Sequence, residues 1–180
     1  MDEFYIGKIL SGDVHSFRYF IKEYKDMAFS VAMSVVKDEF IAEEVVQTAF
    51  LKAFKALASF KRNSKFSTWF YKIVLNEGYS KMKKVKKDVI LFVDNYDAKI
   101  IDESFILALE ADEQSTLINQ ALAQLSPNES VALRLFYLQE ESIKDVCAIT
   151  GWSEANTRVI LYRARKNMLG IVTKLIKNDS

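Results

Sequence analysis

The chain has 180 residues, is half hydrophobic and carries a net charge of only +1, which suits one core or two small ones and excludes any reading from overall basicity. Its single cysteine, Cys147, excludes an intrachain disulfide and fits a reducing compartment. No apolar run approaches the ~18 residues that a membrane-spanning helix needs, so no membrane insertion is expected.

The start, MDEFYIGKIL, lacks a basic stretch followed by an apolar one, so no secretory leader is read and a cytoplasmic location is expected. With five glycines and one proline the chain has few breakers, and helix dominates the composition. SGDVHS reads as a loop and cap. The first helix is expected from about Ser16 through FRYFIKEYKDMAFSVAMSVV, with Phe17, Phe20, Ile21, Tyr24 and Met27 or Ala28 at helical spacing. Asp38 is placed to cap a second helix, DEFIAEEVVQTAFLKAFKAL. Its inward stripe is Ala42, Val46, Phe50, Ala53 and Leu57, and its opposite side carries Glu43, Glu44, Gln47, Leu51 and Lys55. An acidic patch with an apolar Leu51 beside it suits a protein partner.

FKRNSK breaks this pattern and FSTWFYKIVLNEGYSKMKK resumes it. Phe66, Phe70, Ile73 and Val74 share one face, with Trp69 and Lys72 partly off it near Asn76. Charge is segregated here. Residues Lys61 to Lys87 hold nine basic residues and one acidic, Asp88 to Glu113 eight acidic and one basic, and Arg158 to Lys177 six basic and none acidic. Two basic blocks separated by an acidic segment suggest two contact surfaces on a bipartite protein. Aromatic rings beside a basic helix fit a surface that stacks single-stranded bases, although core packing alone also explains rings.

The acidic stretch 88–113 reads as a linker with one short helix at its end. A second domain begins near Ser115 with the amphipathic STLINQALAQL. SP stops that helix, and Pro127 fits the first turn of the next, NESVALRLFYLQE. ESIKDVCAITGWSEANTRVILYRARKNMLGIVTKL has the shape of a helix-turn-helix. Ile143, Val146, Cys147 and Ile149 face inward, Gly151 permits the turn, Trp152 staples it, and Ser153 caps the second helix. Thr157, Ile160, Leu161 and Ala164 or Met168 pack inward. Glu154, Asn156, Arg158, Arg163 and Arg165 are left for a DNA groove. The expected fold is all-α: two small helical domains, 1–87 and 114–180, joined by an acidic linker, 88–113.

No zinc spacing, glycine-rich phosphate loop or nucleophile elbow is present, so no catalytic residue, cofactor or metal site is assigned. His15 stands alone and Cys147 reads as a small core residue. Helix capping accounts for Asp38 and Glu39.

DEFIAEEVVQTAFLKAFKALASFKRNSKFSTWFYKIVLN and ALAQLSPNESVALRLFYLQEESIKDVCAITGWSEANTRVILYRAR resemble, in this order and spacing, the two conserved parts of extracytoplasmic-function sigma factors of the sigma-70 family. The resemblance implies a factor that binds core RNA polymerase and directs it to promoter DNA. It places polymerase docking on Glu43, Glu44, Gln47 and Leu51. It assigns opening and holding of the −10 element to Asn63, Ser64, Lys65, Phe66, Trp69, Lys72, Asn76, Lys81, Lys83 and Lys84. It assigns −35 recognition to Ser153, Glu154, Asn156, Arg158, Arg163 and Arg165. An inhibitory anti-sigma factor is a further partner that the resemblance allows and the sequence does not identify. The chain departs from the family where glycine is usual at Arg62 and Ala155, threonine at Asn156, valine at Thr157 and arginine at Ile160. The changes at Asn156 and Ile160 alter the expected −35 preference. Two other readings stand beside this one. One is a helix-turn-helix transcriptional regulator with a helical partner-binding domain. The other is a sigma-like interaction module that has lost DNA reading.

Overall fold

The computed structural model describes residues 1–85 and 111–178, the side chains of 84–85, 111–113 and 178 excepted, and all regular structure among them is helical. The helices are α1 (Asp2–Leu10), α2 (Arg18–Val36), α3 (Glu39–Ala56), α4 (Phe66–Val85), α5 (Ala111–Gln124), α6 (Pro127–Leu133), α7 (Ile143–Thr150) and α8 (Glu154–Asn178). Turns of 3₁₀ helix occupy Val14–Phe17 and Leu57–Ser59, and α6 widens into a π-turn over Arg134–Leu138.

The sequence reading placed no helix before Ser16, and α1 corrects it. Nine residues are marginal as an isolated helix, so tertiary contacts hold α1 in place. Ile6 and Ile9 are buried, and Tyr5 stacks on Tyr19 with ring centres 4.0 Å apart. The Tyr19 and Tyr24 hydroxyls donate to the Asp2 carboxylate at 2.9 and 2.7 Å. Burial, then the bond to Asp2, pushes the Tyr19 hydroxyl up to about 12 and Tyr24 higher still.

Helices α2, α3 and α4 build the first bundle. Their buried stripes meet as a cluster of rings. Phe20 and Phe66 are centred 4.2 Å apart, and Phe50 and Phe70 4.5 Å apart. Phe17, Phe20 and Ala28 face inward as expected, but Ile21 is exposed. Gly78 marks the closest approach of α4 to α2, because a Cβ there would sit 3.4 Å from Val35 Cβ. The Ile41 N–H donates to Asp38 Oδ1 at 2.8 Å, so Asp38 caps α3 as expected.

The second bundle packs α5, α6 and α8 around Leu117, Ala121, Leu133, Leu161, Ala164 and Ile171. Pro127 sits in the first turn of α6, and the Glu129 carboxylate accepts from the Ser126 N–H at 3.2 Å. Most of the expected acidic linker lies outside the described residues; its last three, 111–113, are helical and continuous with the rest of α5.

The two bundles are docked on one another. Val131, Leu135, Val146 and Ile149 of the second half join the buried cluster of the first. Polar contacts cross the same seam. Lys37 Nζ donates to the Leu122 carbonyl at 2.8 Å, the Tyr79 hydroxyl to Asn128 Oδ1 at 2.8 Å, and the Ser130 hydroxyl to Ser34 Oγ at 3.2 Å. Helix α4 is therefore packed against α2, α3 and α7. This explains why Tyr71 and Leu75 are buried alongside Phe66, Phe70 and Val74.

Candidate nucleic-acid and polymerase interfaces

The segment between α3 and α4 forms a small concave site. A cavity of about 280 Å³ is lined by Ser59, Phe60, Lys61, Arg62, Asn63, Ser64 and Trp69. It lies at the lower edge of the size range of ligand pockets, which suits one base rather than a larger molecule. Trp69 packs against Phe60 with ring centres 4.9 Å apart and is only half-buried, so part of the indole faces the cavity. Arg62 adopts φ 58°, a left-handed conformation that bends the loop around this cavity. The same conformation explains why glycine suits that position.

The structure separates the residues expected here. Asn63 and Ser64 are exposed on the loop and line the cavity. Phe66 is 2 % exposed and lies among Phe20, Tyr24, Phe60 and Phe70, so its ring supports the loop from behind. Lys72, Asn76 and Lys83 are exposed on α4, and the side chain of Lys84 lies outside those described. Lys65 is tied across the seam to Glu141 at 3.4 Å and Asp145 at 3.9 Å. Glu141 is only 6 % exposed, so this acidic partner is held firmly. Lys81, expected to meet phosphates, is instead paired with Glu44, expected to meet a protein, and Lys52 pairs with Glu77 alongside.

On α3, Glu43, Glu44, Gln47 and Leu51 are all exposed. Phe40 and Phe54 stand exposed on the same helix and were missed. The spacing of Phe40, Glu44, Gln47, Leu51 and Phe54 follows one helical stripe and was available as a signal. The face is thus more apolar than its glutamates suggest.

The second site is the α7–turn–α8 unit. Gly151 takes φ 79° in the turn, and Ser153 Oγ accepts from the Asn156 N–H at 3.2 Å at the start of α8. Thr157, Leu161 and Ala164 are buried, whereas Glu154, Asn156, Arg158 and Arg163 are exposed. Arg158 lies 3.9 Å from Glu154, an exposed pair that leaves the guanidinium free to exchange partners. Tyr162, 65 % exposed, and Val159 lie on this open side and were missed; an i, i+3 pair of large residues was the available signal. Arg165 departs from the expectation by donating to the Tyr137 hydroxyl at 2.9 Å. There it borders an apolar groove of about 390 Å³ lined by Ile118, Leu133, Leu138, Met168 and Leu169 between α5, α6 and α8.

Among the described residues, no group of His, Cys, Asp and Glu could hold a metal ion, and no helix is long and apolar enough to cross a membrane.

Comparison with known proteins agrees with this geometry. The family model for sigma-70 region 2 matches residues 20–87, and that for sigma-70 region 4 matches residues 115–168. The chain is 26% identical over 160 residues to the ECF RNA polymerase sigma factor SigM of Bacillus subtilis, covering 87% of this chain and 94% of that protein. It is 26% identical over 175 residues to the RNA polymerase sigma-H factor of Pseudomonas aeruginosa, covering 92% and 90%. The solved structure of the sigma factor RpoE in complex with the anti-sigma factor NepR, from Bartonella quintana, shares the fold, with TM-score 0.67 at 24% identity over 87% of this chain and 96% of that one. The two matched regions, in this order, and the sigma-factor relatives make the chain a member of the extracytoplasmic-function group of the sigma-70 family, a factor that directs RNA polymerase to promoters.

Proposed function

We propose that this sigma factor divides its work between a first domain, residues 1–87, and a second, 114–180, joined by the 88–113 segment. The α3 face around Glu43, Glu44, Gln47 and Leu51 docks on core RNA polymerase. The Asn63–Lys65 loop and the cavity bounded by Trp69 capture a base of the opened −10 strand, while Lys72, Asn76, Lys81, Lys83 and Lys84 track its backbone. The N-terminal half of α8 reads the −35 duplex through Ser153, Glu154, Asn156, Arg158 and Arg163, with Arg165 at the edge of that surface. The observation that carries this reading is the cavity itself: a half-buried indole and exposed Asn63 and Ser64 line one concavity at the head of a basic helix.

The physical balance is favourable. Extruding a base costs a few kcal/mol, and stacking it on an aromatic ring returns about 1–3 kcal/mol, with phosphate contacts adding to that. A duplex-binding regulator has no use for such a pocket, which disfavours the helix-turn-helix regulator reading. For Lys65 and Lys81 to meet DNA, their ion pairs with Glu141 and Glu44 must exchange for phosphate.

The chain contributes binding and strand capture, and the polymerase performs the chemistry in the cytoplasm. An anti-sigma factor is a fitting second partner. The apolar groove between α5, α6 and α8 has the character of a seat for an amphipathic helix, and the structurally similar RpoE was solved with NepR.

Run-off transcription with purified core polymerase on genomic templates tests the proposal. The chain is expected to yield discrete promoter-dependent transcripts, and Glu43→Lys with Glu44→Lys to abolish them while helical content is kept. Absence of discrete transcripts with the native chain, or full activity of the double variant, contradicts it.

A further inference from the structure

The seam between the bundles encloses a second cavity, of about 460 Å³, made of other residues. Phe29, Met33 and Lys37 of the first half form one wall, and Asn119, Ser130 and Arg134 of the second form the other. Two cations share it. Arg134 is 8 % exposed; its Nη2 donates to Asn119 Oδ1 at 3.2 Å, and its buried Nε has no partner among the described residues. Lys37 closes α2 at φ 57° and points its ammonium to the Leu122 carbonyl, a neutral acceptor.

Among the described residues, the nearby carboxylates offset the pair only in part. Glu129 is committed, with Oε2 accepting from Ser126 and Oε1 from Asn167 Nδ2 at 2.6 Å. Glu39 lines the cavity but is exposed to water. Burial first, and the Arg134 charge second, hold the Lys37 ammonium down at about 8, with Glu129 opposing only in part. A buried charge only partly countered is costly, and an unpaired guanidinium N–H is a directed donor awaiting an acceptor.

We propose that this cavity binds a small phosphorylated molecule, its phosphate between Arg134 and Lys37 and its organic part against Phe29 and Met33. Two cations match a phosphate monoester, which carries −1.5 to −2 charge at neutral pH, better than a singly charged carboxylate. The arginine also begins the π-turn that ends α6, the kind of local distortion that recurs at functional sites. Because each bundle supplies one wall, ligand binding stabilises the docked arrangement by mass action. In that arrangement Lys65 is held by Glu141 and Asp145, so the ligand opposes engagement of the −10 strand. That consequence rests on the strand-capturing role of the loop; the binding itself does not.

Calorimetric titration of the full chain with inorganic phosphate, at constant ionic strength and with acetate as the carboxylate arm, tests the site. Saturable one-to-one phosphate binding is expected, weakened at least ~10-fold in both Arg134→Met and Lys37→Met, with acetate at least ~10-fold weaker than phosphate. The Arg134 Nε–H resonance of the native protein, followed by NMR in the same titration, should shift with the binding curve and needs no variant to fold. Phosphate binding that survives both substitutions, a stationary Nε–H resonance or no saturable binding overturns the proposal. Equal affinity for acetate overturns the assignment to phosphate. A loop that proved irrelevant to promoter opening would leave these titrations unchanged.

Discussion

Helices α4 and α8 both carry residues proposed to meet DNA, and they are held in opposite ways. Helix α8 is gripped along one stripe, Thr157, Leu161 and Ala164, and the other sides of its N-terminal half are exposed. A duplex groove needs a protruding rod of this kind. Helix α4 is clasped by α2, α3 and α7, so five of its large side chains are buried and little of it faces solvent. A strand pulled from its duplex needs a rigid concavity instead, and the polar chemistry moves to the loop in front of the helix. On the proposed function, the rings of α4 serve mainly to make that concavity stiff.

The strongest way to break the contrast is Phe70→Ala. Phe70 is fully buried between Phe50, Phe66 and Tyr24, and its loss should cost about 3–5 kcal/mol in urea unfolding. Tyr162→Ala on α8 should stay within about 0.5 kcal/mol. Equal losses would mean that the two helices are seated alike.

On α8 the expected effects fall on recognition. Asn156→Ala should relax preference at one −35 base pair by about 1–3 kcal/mol, whereas Arg158→Ala should weaken all sequences alike and reduce the salt slope by about 1. A binding-site selection with each variant, repeated across salt, distinguishes them. An unchanged motif for Asn156→Ala removes that residue from base reading.

The smallest effect sharpens the comparison at the loop. Arg62 sits at φ 58°, a conformation that costs a non-glycine residue about 1–3 kcal/mol. Arg62→Gly removes that cost, adds about 0.5–1 kcal/mol of chain entropy and loses an exposed pair with Glu3 worth at most about 1 kcal/mol. A net change within about 1 kcal/mol, measured as a shift in the urea midpoint, is expected. A larger loss would show that the Glu3 pair holds the loop.

The difference between α4 and α8 also marks what could be read from sequence. Helix α8 announces itself by local features: Gly151 in the turn, Ser153 as cap and one inward stripe. Helix α3 does the same through Asp38, Ala42, Phe50 and Ala53. That Trp69 and the loop residues adjoin was legible because rings and charges neighbour one another in the chain, and they line one cavity. The second buried side of α4, by contrast, depends on Val146 and Ile149 of a distant helix, and no local period encodes that partner. The Lys65–Glu141 contact and the Lys37–Leu122 bond, the latter spanning 85 residues, are likewise products of docking. The helical state of α1 depends on Tyr19, Tyr24 and the core beneath Ile6, so its nine residues alone gave no sufficient signal. Phe40 and Phe54 read as ordinary apolar residues until the stripe they share with Leu51 is seen to face outward.

The central claim is that the Asn63–Lys65 loop and its cavity capture the opened strand. A fluorescent base within the −10 element, followed by stopped flow with the reconstituted holoenzyme, reports that step directly. Asn63→Ala with Ser64→Ala should leave folding and duplex binding unchanged, slow promoter opening, and weaken binding to a premelted template. Opening at the native rate, with native affinity for the premelted template, would contradict the account and leave Trp69 and Phe66 as core rings beside a basic surface.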